Sequence, residues 1–291
     1  MKPPAFIYEQ ARSVDEALDL LSRHENSKIL AGGQSLMPMM NFRYVLPDRV
    51  IDINRIKSLA DLRVAKDHLD VGAMVRQRTV EFSQEALAQC PLLSDAIPHI
   101  GHRQTRNRGT FGGSLAHSDP AAEIPTVATA LDAVMQVASK RGSRSIPAQR
   151  FFTGYMRTAL EPDELLTGIR LPSWPRGHGY AFVEFARRRG DFALASAAVL
   201  LVLGAQRVVQ RISMTVAGLG VQPVRLSDSE KLLVGQPVGP SLVREAVGLA
   251  AGLEAVSDIH ASAEYRVHLA QVLLARAFNI ALKRAETPGH G

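Results

Sequence analysis

The sequence predicts an α+β fold made of α/β-like lobes, and three observations lead to this prediction. Short apolar stretches alternate with helical stretches in the first third of the chain, turns rich in Pro, Gly and Asp separate them, and long helical patterns close the sequence. Such alternation is typical of domains that pack helices onto sheets. The length of 291 residues is too great for one small core and favours two or three domains.

The first elements are predicted from capping residues and β-branched residues. Ser13 and Glu16 have the spacing of a capping box and precede an apolar helical pattern at 17–21. Three strands are predicted from their apolar and β-branched content, at 28–31, 49–53 and 68–75. The first of them ends on the pair Gly32 and Gly33, so a turn is expected there.

The middle of the chain combines helical spacing with helix breakers. Residues 79–100 carry apolar positions at helical spacing, but Pro91 and Pro98 interrupt the pattern. Residues 126–139 are predicted to begin as a helix and to continue as a strand near Val134. We therefore expect short helices followed by a return to the sheet.

A stretch rich in proline and glycine, 169–182, predicts a domain boundary near residue 176. The elements expected beyond it are strands at 179–188 and 211–220 and helices at 241–253 and 262–285. Ser262 is the expected N-cap of the last helix, and the tail at 286–291 is expected to fray.

The cysteine count and the apolar runs restrict the class of protein. The single cysteine, Cys90, excludes an internal disulfide framework, a four-cysteine zinc site and a cysteine-ligated iron–sulfur cluster. The longest apolar run, 193–205, is shorter than the ~20 residues that span a bilayer, so it is interpreted as a buried strand or helix. We therefore expect no membrane span and a location in the reducing cytoplasm.

The chain is basic, with a formal net charge of +6 and a pI of about 9.7. Its basic residues cluster at 102–109, 140–144 and 187–190, which raises the hypothesis of nucleic-acid binding. Aromatic residues make up only 5% of the chain and do not alternate with the basic clusters, as stacking on single strands requires. The favoured interpretation is a solvated or partner-facing surface without nucleic acid.

Two glycine pairs 80 residues apart stand in similar contexts, "AGGQSLMP" at 31–38 and "FGGSLAHS" at 111–118. We call these stretches the first and the second glycine segment. Glycine lets a backbone approach a ligand closely, and successive N–H groups then form a nest for anions. Three hydroxyls stand beside the pairs, those of Ser35, Thr110 and Ser114. Two such nests suit a pyrophosphate, whereas a single glycine pair is equally typical of a tight turn.

The common nucleotide fingerprints are absent from the sequence. The nearest approach to G-x-G-x-x-G is "GLGVQP" at 218–223, which lacks the third glycine, and no G-x-x-x-x-G-K-[ST] occurs. A Rossmann or P-loop cradle is therefore disfavoured, and a dinucleotide held between two lobes is preferred.

His117, Asp119 and Glu123 follow the second glycine pair closely and raise the question of catalysis. No H-E-x-x-H pattern supports a metal, and "GGSLA" lacks the second flanking glycine of a G-x-S-x-G nucleophile elbow. Asp119 and Pro120 instead predict a helix start, with Glu123 as an acid in its first turn. His117 is interpreted as a structural hydrogen-bonding residue. No catalytic residue and no metal ligand is predicted.

Three stretches carry a resemblance to a known family: "ILAGGQSLMPMMNFR" (29–43), "RNRGTFGGSLAHSDPAAEIP" (106–125) and "RRRGDFALASAAV" (187–199). They resemble the FAD-binding middle subunit of molybdenum hydroxylases, the family of xanthine dehydrogenase and carbon monoxide dehydrogenase. The resemblance implies a two-lobed PCMH-type FAD-binding domain over 1–176, split near residue 56. It also implies a smaller C-terminal domain of sheet plus helices over 177–291.

The resemblance further implies which residues bind FAD. The two glycine segments would contact the pyrophosphate and the ribityl chain, Glu123 would hold a ribose or ribityl hydroxyl, and the stretch around Asp191 would lie near the isoalloxazine. The implied cofactor-binding residues are Ile29, Leu30, Ala31, Gly32, Gly33, Gln34, Ser35, Leu36, Thr110, Gly112, Gly113, Ser114, Glu123, Arg187 and Phe192.

The function implied is that of an electron-transfer subunit in a heteromeric molybdenum hydroxylase. It would take electrons from [2Fe-2S] clusters of a small partner subunit and pass them to an external acceptor, while a large partner subunit holds the molybdopterin cofactor. A dimer of such heterotrimers is expected. The alternatives are a stand-alone FAD-dependent oxidoreductase and a basic nucleic-acid-binding protein. The substrate and the acceptor stay open.

Overall fold

The computed structural model describes residues 1–287 and consists of mixed helices and strands, which confirms the predicted α+β class. Residues 288–291, the last four of the tail predicted to fray, lie outside the described residues. Within 1–287, no helix is both long enough and apolar enough to cross a bilayer.

The strands are β1 (Ile7–Gln10), β2 (Ser27–Leu30), β3 (Arg49–Asp52), β4 (Leu62–Val64), β5 (His68–Gly72), β6 (Val134–Ser139), β7 (Gly142–Pro147), β8 (Phe152–Gly154), β9 (Arg157–Thr158), β10 (Leu165–Pro172), β11 (Gly179–Phe185), β12 (Ala195–Leu203), β13 (Val209–Ala217) and β14 (Val224–Arg225). The helices are α1 (Val14–Arg23), α2 (Leu36–Asn41), α3 (Gln77–Phe82), α4 (Gln84–Gln89), α5 (Leu92–Ala96), α6 (Arg103–Arg108), α7 (Phe111–His117), α8 (Glu123–Ala130), α9 (Ala148–Phe151), α10 (Ser227–Leu233), α11 (Pro240–Gly248) and α12 (Ala263–Glu286). Short 3-10 turns occupy Lys57–Ala60, Ile97–His99, Ala205–Arg207 and Leu249–Gly252.

The first lobe is a parallel sheet in the order β1-β3-β2, which α1 covers. The predicted capping box is present in its first half, since Ser13 accepts the N–H of Glu16 at 3.1 Å, whereas Glu16 accepts the N–H of Arg12, one residue before the N-cap, at 2.8 Å. Because the box fixes where α1 begins, its apolar side faces the sheet and buries Ala17 and Leu18.

The second lobe is an antiparallel sheet in the order β4-β5-β10-β6-β7. Its central strand, β10, was missing from the sequence prediction, because its last residues fall in the proline- and glycine-rich stretch that was interpreted as a boundary. The helical pattern at 79–100 is divided into α3, α4, α5 and a 3-10 turn. The predicted change from helix to strand near Val134 is confirmed by α8 and β6.

The third sheet is antiparallel, in the order β11-β12-β13-β14, and lies between α12 on one face and α5 and α8 on the other. The apolar run at 193–205 is therefore a strand, because β12 is buried on both faces for most of its length. Ser262 caps α12 as predicted and accepts the N–H of Tyr265 at 3.2 Å.

One hydrophobic cluster crosses the middle of the chain. Phe182 and Leu200 of the third sheet are buried in the same core as Ile124 and Val127 of α8. The Ser213 hydroxyl adds a hydrogen bond to the Ala130 carbonyl at 2.6 Å. The third sheet therefore covers the face of α8 that would otherwise be exposed to water.

Candidate functional site

The first glycine segment forms the turn between β2 and α2 and touches the chain just before the second. A Cβ added to Gly32 would lie 2.5 Å from the Arg108 carbonyl oxygen and 2.9 Å from the Gly109 Cα, so a larger residue has no space. Gly33 has a φ of +72°, a conformation that favours glycine. The first glycine segment thus lies backbone to backbone against residues 108–109, just before the second segment.

The first glycine segment offers unpaired backbone donors. Among residues 1–287 the N–H groups of Gly33, Gln34 and Ser35 donate no hydrogen bond. The Ser35 hydroxyl makes no capping bond either. Neighbouring N–H groups without protein partners, at a turn with a positive φ, form the kind of nest that binds an anion.

The second glycine segment differs from its prediction. It forms the whole of α7 and its C-cap residue rather than a loop, and the N–H groups of its first three residues are already bonded: Phe111 to the Val75 carbonyl at 2.9 Å, Gly112 to the Ala73 carbonyl at 3.0 Å and Gly113 to the Thr110 hydroxyl at 3.0 Å. A matched second nest is therefore wrong, because helix capping and the sheet edge use these donors.

The glycines of the second segment still allow neighbouring parts of the chain to pack closely against it. A Cβ on Gly112 would lie 2.6 Å from the Ala73 Cβ, and one on Gly113 would lie 3.7 Å from the Ala31 Cβ. The Ser114 side chain is half-buried and makes no hydrogen bond within the part of the chain that the structure describes. The helix dipole at this end favours an anion.

Glu123 is buried at the first residue of α8, where a first-turn acid was predicted. Burial, followed by the charge of Glu184, raises its pKa to about 8, so the carboxyl is mostly protonated at neutral pH. A protonated carboxyl both donates and accepts a hydrogen bond, which suits a sugar hydroxyl.

The predicted helix start, with Asp119 as N-cap and Pro120 as first helical residue, is wrong by three residues, since α8 begins at Glu123 with Ala122 as its N-cap. Asp119 instead accepts the N–H of Ala121 at 2.9 Å in a turn, after Ser118 ends α7 with a φ of +54°. The predicted structural hydrogen bond of His117 is not found within residues 1–287. Burial lowers the pKa of His117 and keeps its ring neutral at neutral pH.

The predicted isoalloxazine residues lie on the loop between β11 and β12. Arg187 is exposed and Phe192 is 74% exposed. Gly190 has a φ of +87°, and a Cβ there would lie 2.5 Å from the His102 Cε1. The loop therefore packs beside the residue that caps α6, the helix that leads to the second glycine segment.

Sequence reasoning missed Glu184, whose charge acts on Glu123. Its Oε1 lies 3.1 Å from the His99 Nδ1, and its Oε2 is buried without a partner in the described range. The only signal was a carboxylate inside an apolar strand pattern. Within residues 1–287, no group of three His, Cys, Asp or Glu residues lies close enough to hold a metal ion.

The close backbone approach at Gly32 and the unpaired N–H groups at 33–35 form a site of the class that binds the phosphates of a nucleotide. Residues 4–174 match the family model described as the FAD binding domain in molybdopterin dehydrogenase, and residues 180–281 match the CO dehydrogenase flavoprotein C-terminal domain. The chain therefore belongs to the family of FAD-binding medium subunits of molybdenum hydroxylases, which confirms the resemblance.

Individual relatives agree over the whole length. The nicotine 6-hydroxylase medium subunit of Paenarthrobacter nicotinovorans is 42% identical over 95% of this chain and 97% of its own. The carbon monoxide dehydrogenase medium chain of Hydrogenophaga pseudoflava is 34% identical over 98% of this chain and 99% of its own. The solved carbon monoxide dehydrogenase of the same organism superposes with a TM-score of 0.95 at 35% identity, covering 98% of this chain and 99% of that chain. The chain is thus an oxidoreductase component.

Proposed function

We propose that this chain holds FAD between its two glycine segments and serves as the electron-transfer subunit of a heteromeric molybdenum hydroxylase. The observation that carries the proposal is the backbone contact of Gly32 with Arg108 and Gly109, beside unpaired N–H groups at 33–35. A glycine-only contact next to a free nest fits the pyrophosphate of a dinucleotide.

The chain's own residues would divide the binding task as follows. The N–H groups of Gly33, Gln34 and Ser35 would bind the pyrophosphate, with the Ser35 and Ser114 hydroxyls as further donors. The protonated Glu123 would exchange hydrogen bonds with a sugar hydroxyl. The exposed Arg187 and Phe192 would lie toward the flavin ring. Of the other predicted residues, Gly32, Gly112 and Gly113 allow close backbone approach and Thr110 caps α7, while Ile29, Leu30, Ala31 and Leu36 flank the first glycine pair.

When bound, FAD would supply redox chemistry, taking electrons from [2Fe-2S] clusters and releasing them to an external acceptor. The clusters would belong to a small partner subunit, because Cys90 is buried and alone cannot ligate them. The molybdopterin cofactor would belong to a large partner subunit, in a dimer of heterotrimers. A cytoplasmic location and domains at 1–176 and 177–291, with lobes split near residue 56, are part of the same proposal.

The substrate class of the assembly is a separate inference. Three relatives, 39% to 42% identical, are named for 6-hydroxypseudooxynicotine, nicotine and caffeine. Nicotine and caffeine both contain nitrogen heterocycles, and we infer that the assembly acts on a compound of that kind. Turnover assays of the purified complex with nitrogen heterocycles and with carbon monoxide test this inference. Turnover of carbon monoxide alone would contradict it.

The first experiment measures FAD in the purified chain by its absorbance near about 450 nm and by acid release. Gly32→Ala is expected to lower the FAD affinity at least about tenfold, because its methyl group would press on the Arg108 carbonyl. Gly252→Ala is the matched control, since a Cβ there meets nothing within 4 Å.

Three outcomes would contradict the proposal in different ways. If the unmodified chain contained no FAD and did not bind added FAD, FAD would not be its cofactor. Equal FAD affinities of Gly32→Ala and Gly252→Ala would show that FAD does not bind at Gly32. Turnover of a substrate by the single chain, in preparations without iron or molybdenum, would favour a stand-alone FAD-dependent oxidoreductase.

A further inference from the structure

Arg76 lies beside the contact between the first glycine segment and residues 108–109, and it joins the chain elements that carry the two segments. It precedes α3 and forms an isolated antiparallel bridge with Thr110. Its Nη2 donates to the Asn54 Oδ1 at 2.6 Å, and its Nη1 donates to the carbonyl of Arg108. One guanidinium therefore bonds both to the first lobe and to the residue before Gly109.

Asn54 continues the connection to the first glycine segment. Its Nδ2 donates to the Ala31 carbonyl at 2.8 Å and to the Asp52 Oδ1 at 2.7 Å. Asp52 is held in turn by the Tyr8 hydroxyl at 2.6 Å, across the parallel sheet. The network thus ends on two carbonyls, those of Ala31 and Arg108, which precede Gly32 and Gly109.

The network pairs one carboxylate, Asp52, with one cation, Arg76, through Asn54. Asp52 is buried, and burial alone raises its pKa, but hydrogen bonds from Tyr8 and Asn54 outweigh that effect and lower it. Burial and the neighbouring charge of Arg108 lower the pKa of Arg76, while Asp52 opposes this. An arginine stays protonated in proteins, so Arg76 keeps its positive charge beside residues 31 and 108.

We propose that Arg76 is a positioning residue for FAD: acting through Asn54, it fixes the spacing between the two glycine segments and so sets the affinity for the pyrophosphate. This inference rests on the proposed function. A planar guanidinium is needed, because it bonds two acceptors at fixed angles, whereas an ammonium on a flexible stem does not.

The test compares FAD affinities of the 291-residue chain and its variants by flavin fluorescence. Arg76→Lys and Asn54→Ala are each expected to weaken FAD binding at least about tenfold. The combination is expected to cost little more than either change, because the two residues act as one unit. Arg170→Lys is the matched control: Arg170 forms an exposed pair with Asp70 through its Nε and Nη2 on the second-lobe sheet, and among residues 1–287 it donates no hydrogen bond to either glycine segment.

Two smaller probes separate positioning from general loosening of the fold. ADP carries the pyrophosphate without the flavin ring, and riboflavin carries the ring without the pyrophosphate. A positioning role predicts that Arg76→Lys weakens ADP and leaves riboflavin unchanged. Equal weakening of both probes would overturn it in favour of a structural role.

The failures of the two proposals are distinguishable. If the unmodified chain binds neither FAD nor ADP, the proposed function fails and this inference falls with it. If the unmodified chain binds FAD and Arg76→Lys and Asn54→Ala bind it equally well, only the inference fails. If Arg76→Lys does not fold, Asn54→Ala, which leaves the cation in place, decides the outcome alone.

Discussion

Replacement of Glu123 by glutamine is expected to change how the stability of the protein depends on pH. The folded-state pKa of Glu123 is raised from 4.5 to about 8, chiefly by burial. A raised pKa means that the folded state keeps a proton that the unfolded state loses. Its stability contribution is complete below about pH 4.5 and is lost as the pH rises through about 8.

The size of the effect follows from the two pKa values. Each unit of difference corresponds to about 1.4 kcal/mol, so the full loss is about 5 kcal/mol, of which about 3 kcal/mol falls between about pH 6 and about pH 9. Glutamine has the shape of the protonated acid and does not ionise. Glu123→Gln should therefore lack this part of the pH dependence and be the more stable form at high pH.

Urea unfolding at both pH values measures the difference, because the other titrating groups are common to both proteins and cancel. Glu245→Gln serves as the control, since Glu245 is exposed on α11. If the free energy of unfolding of Glu123→Gln falls with pH as steeply as that of the unmodified chain, burial of an acid at the start of α8 is not what governs its ionisation.

Three further variants test other contacts. Glu184→Gln removes a charge that helps raise the pKa of Glu123, so the loss of stability with rising pH should be smaller and complete at a lower pH; an unchanged pH profile in urea unfolding would contradict this. Arg266→Met should cost about 3 kcal/mol in urea unfolding, because Arg266 is buried and donates to the carbonyls of Leu194 and Gly218 at 2.8 Å each; a loss below about 1 kcal/mol would contradict it. Ser262→Ala should cost about 1 kcal/mol through loss of the α12 cap, and an unchanged unfolding midpoint would refute this.

Much of the fold was predictable wherever local chemistry decides it. The capping box at Ser13 and the cap at Ser262 lie within four residues of the groups they bind, so their helices begin where the sequence indicates. The apolar run of β12 left strand and helix open, because only packing on both faces distinguishes them. The central strand β10 was missed because a strand may end on a proline.

The candidate site was predictable only in part, because several of its contacts join residues that are distant in the chain. The glycine pairs indicate close approach by themselves, and their meeting was a reasonable expectation. The use of the second segment's N–H groups depends on Ala73 and Val75, which lie more than 30 residues away and belong to another element. Arg76 and Asn54 carry no motif, since their partners are distant in the chain.

The hydrophobic cluster that joins α8 to the third sheet limits how the chain can be recombined. Val127 and Leu200 lie in one core, so the inner face of the second half is shaped to a helix of the first. A chimera that took residues 177–291 from a relative about 35% identical would join two faces with different side-chain volumes. The second half therefore has to be exchanged together with the first half or with the buried residues of α8.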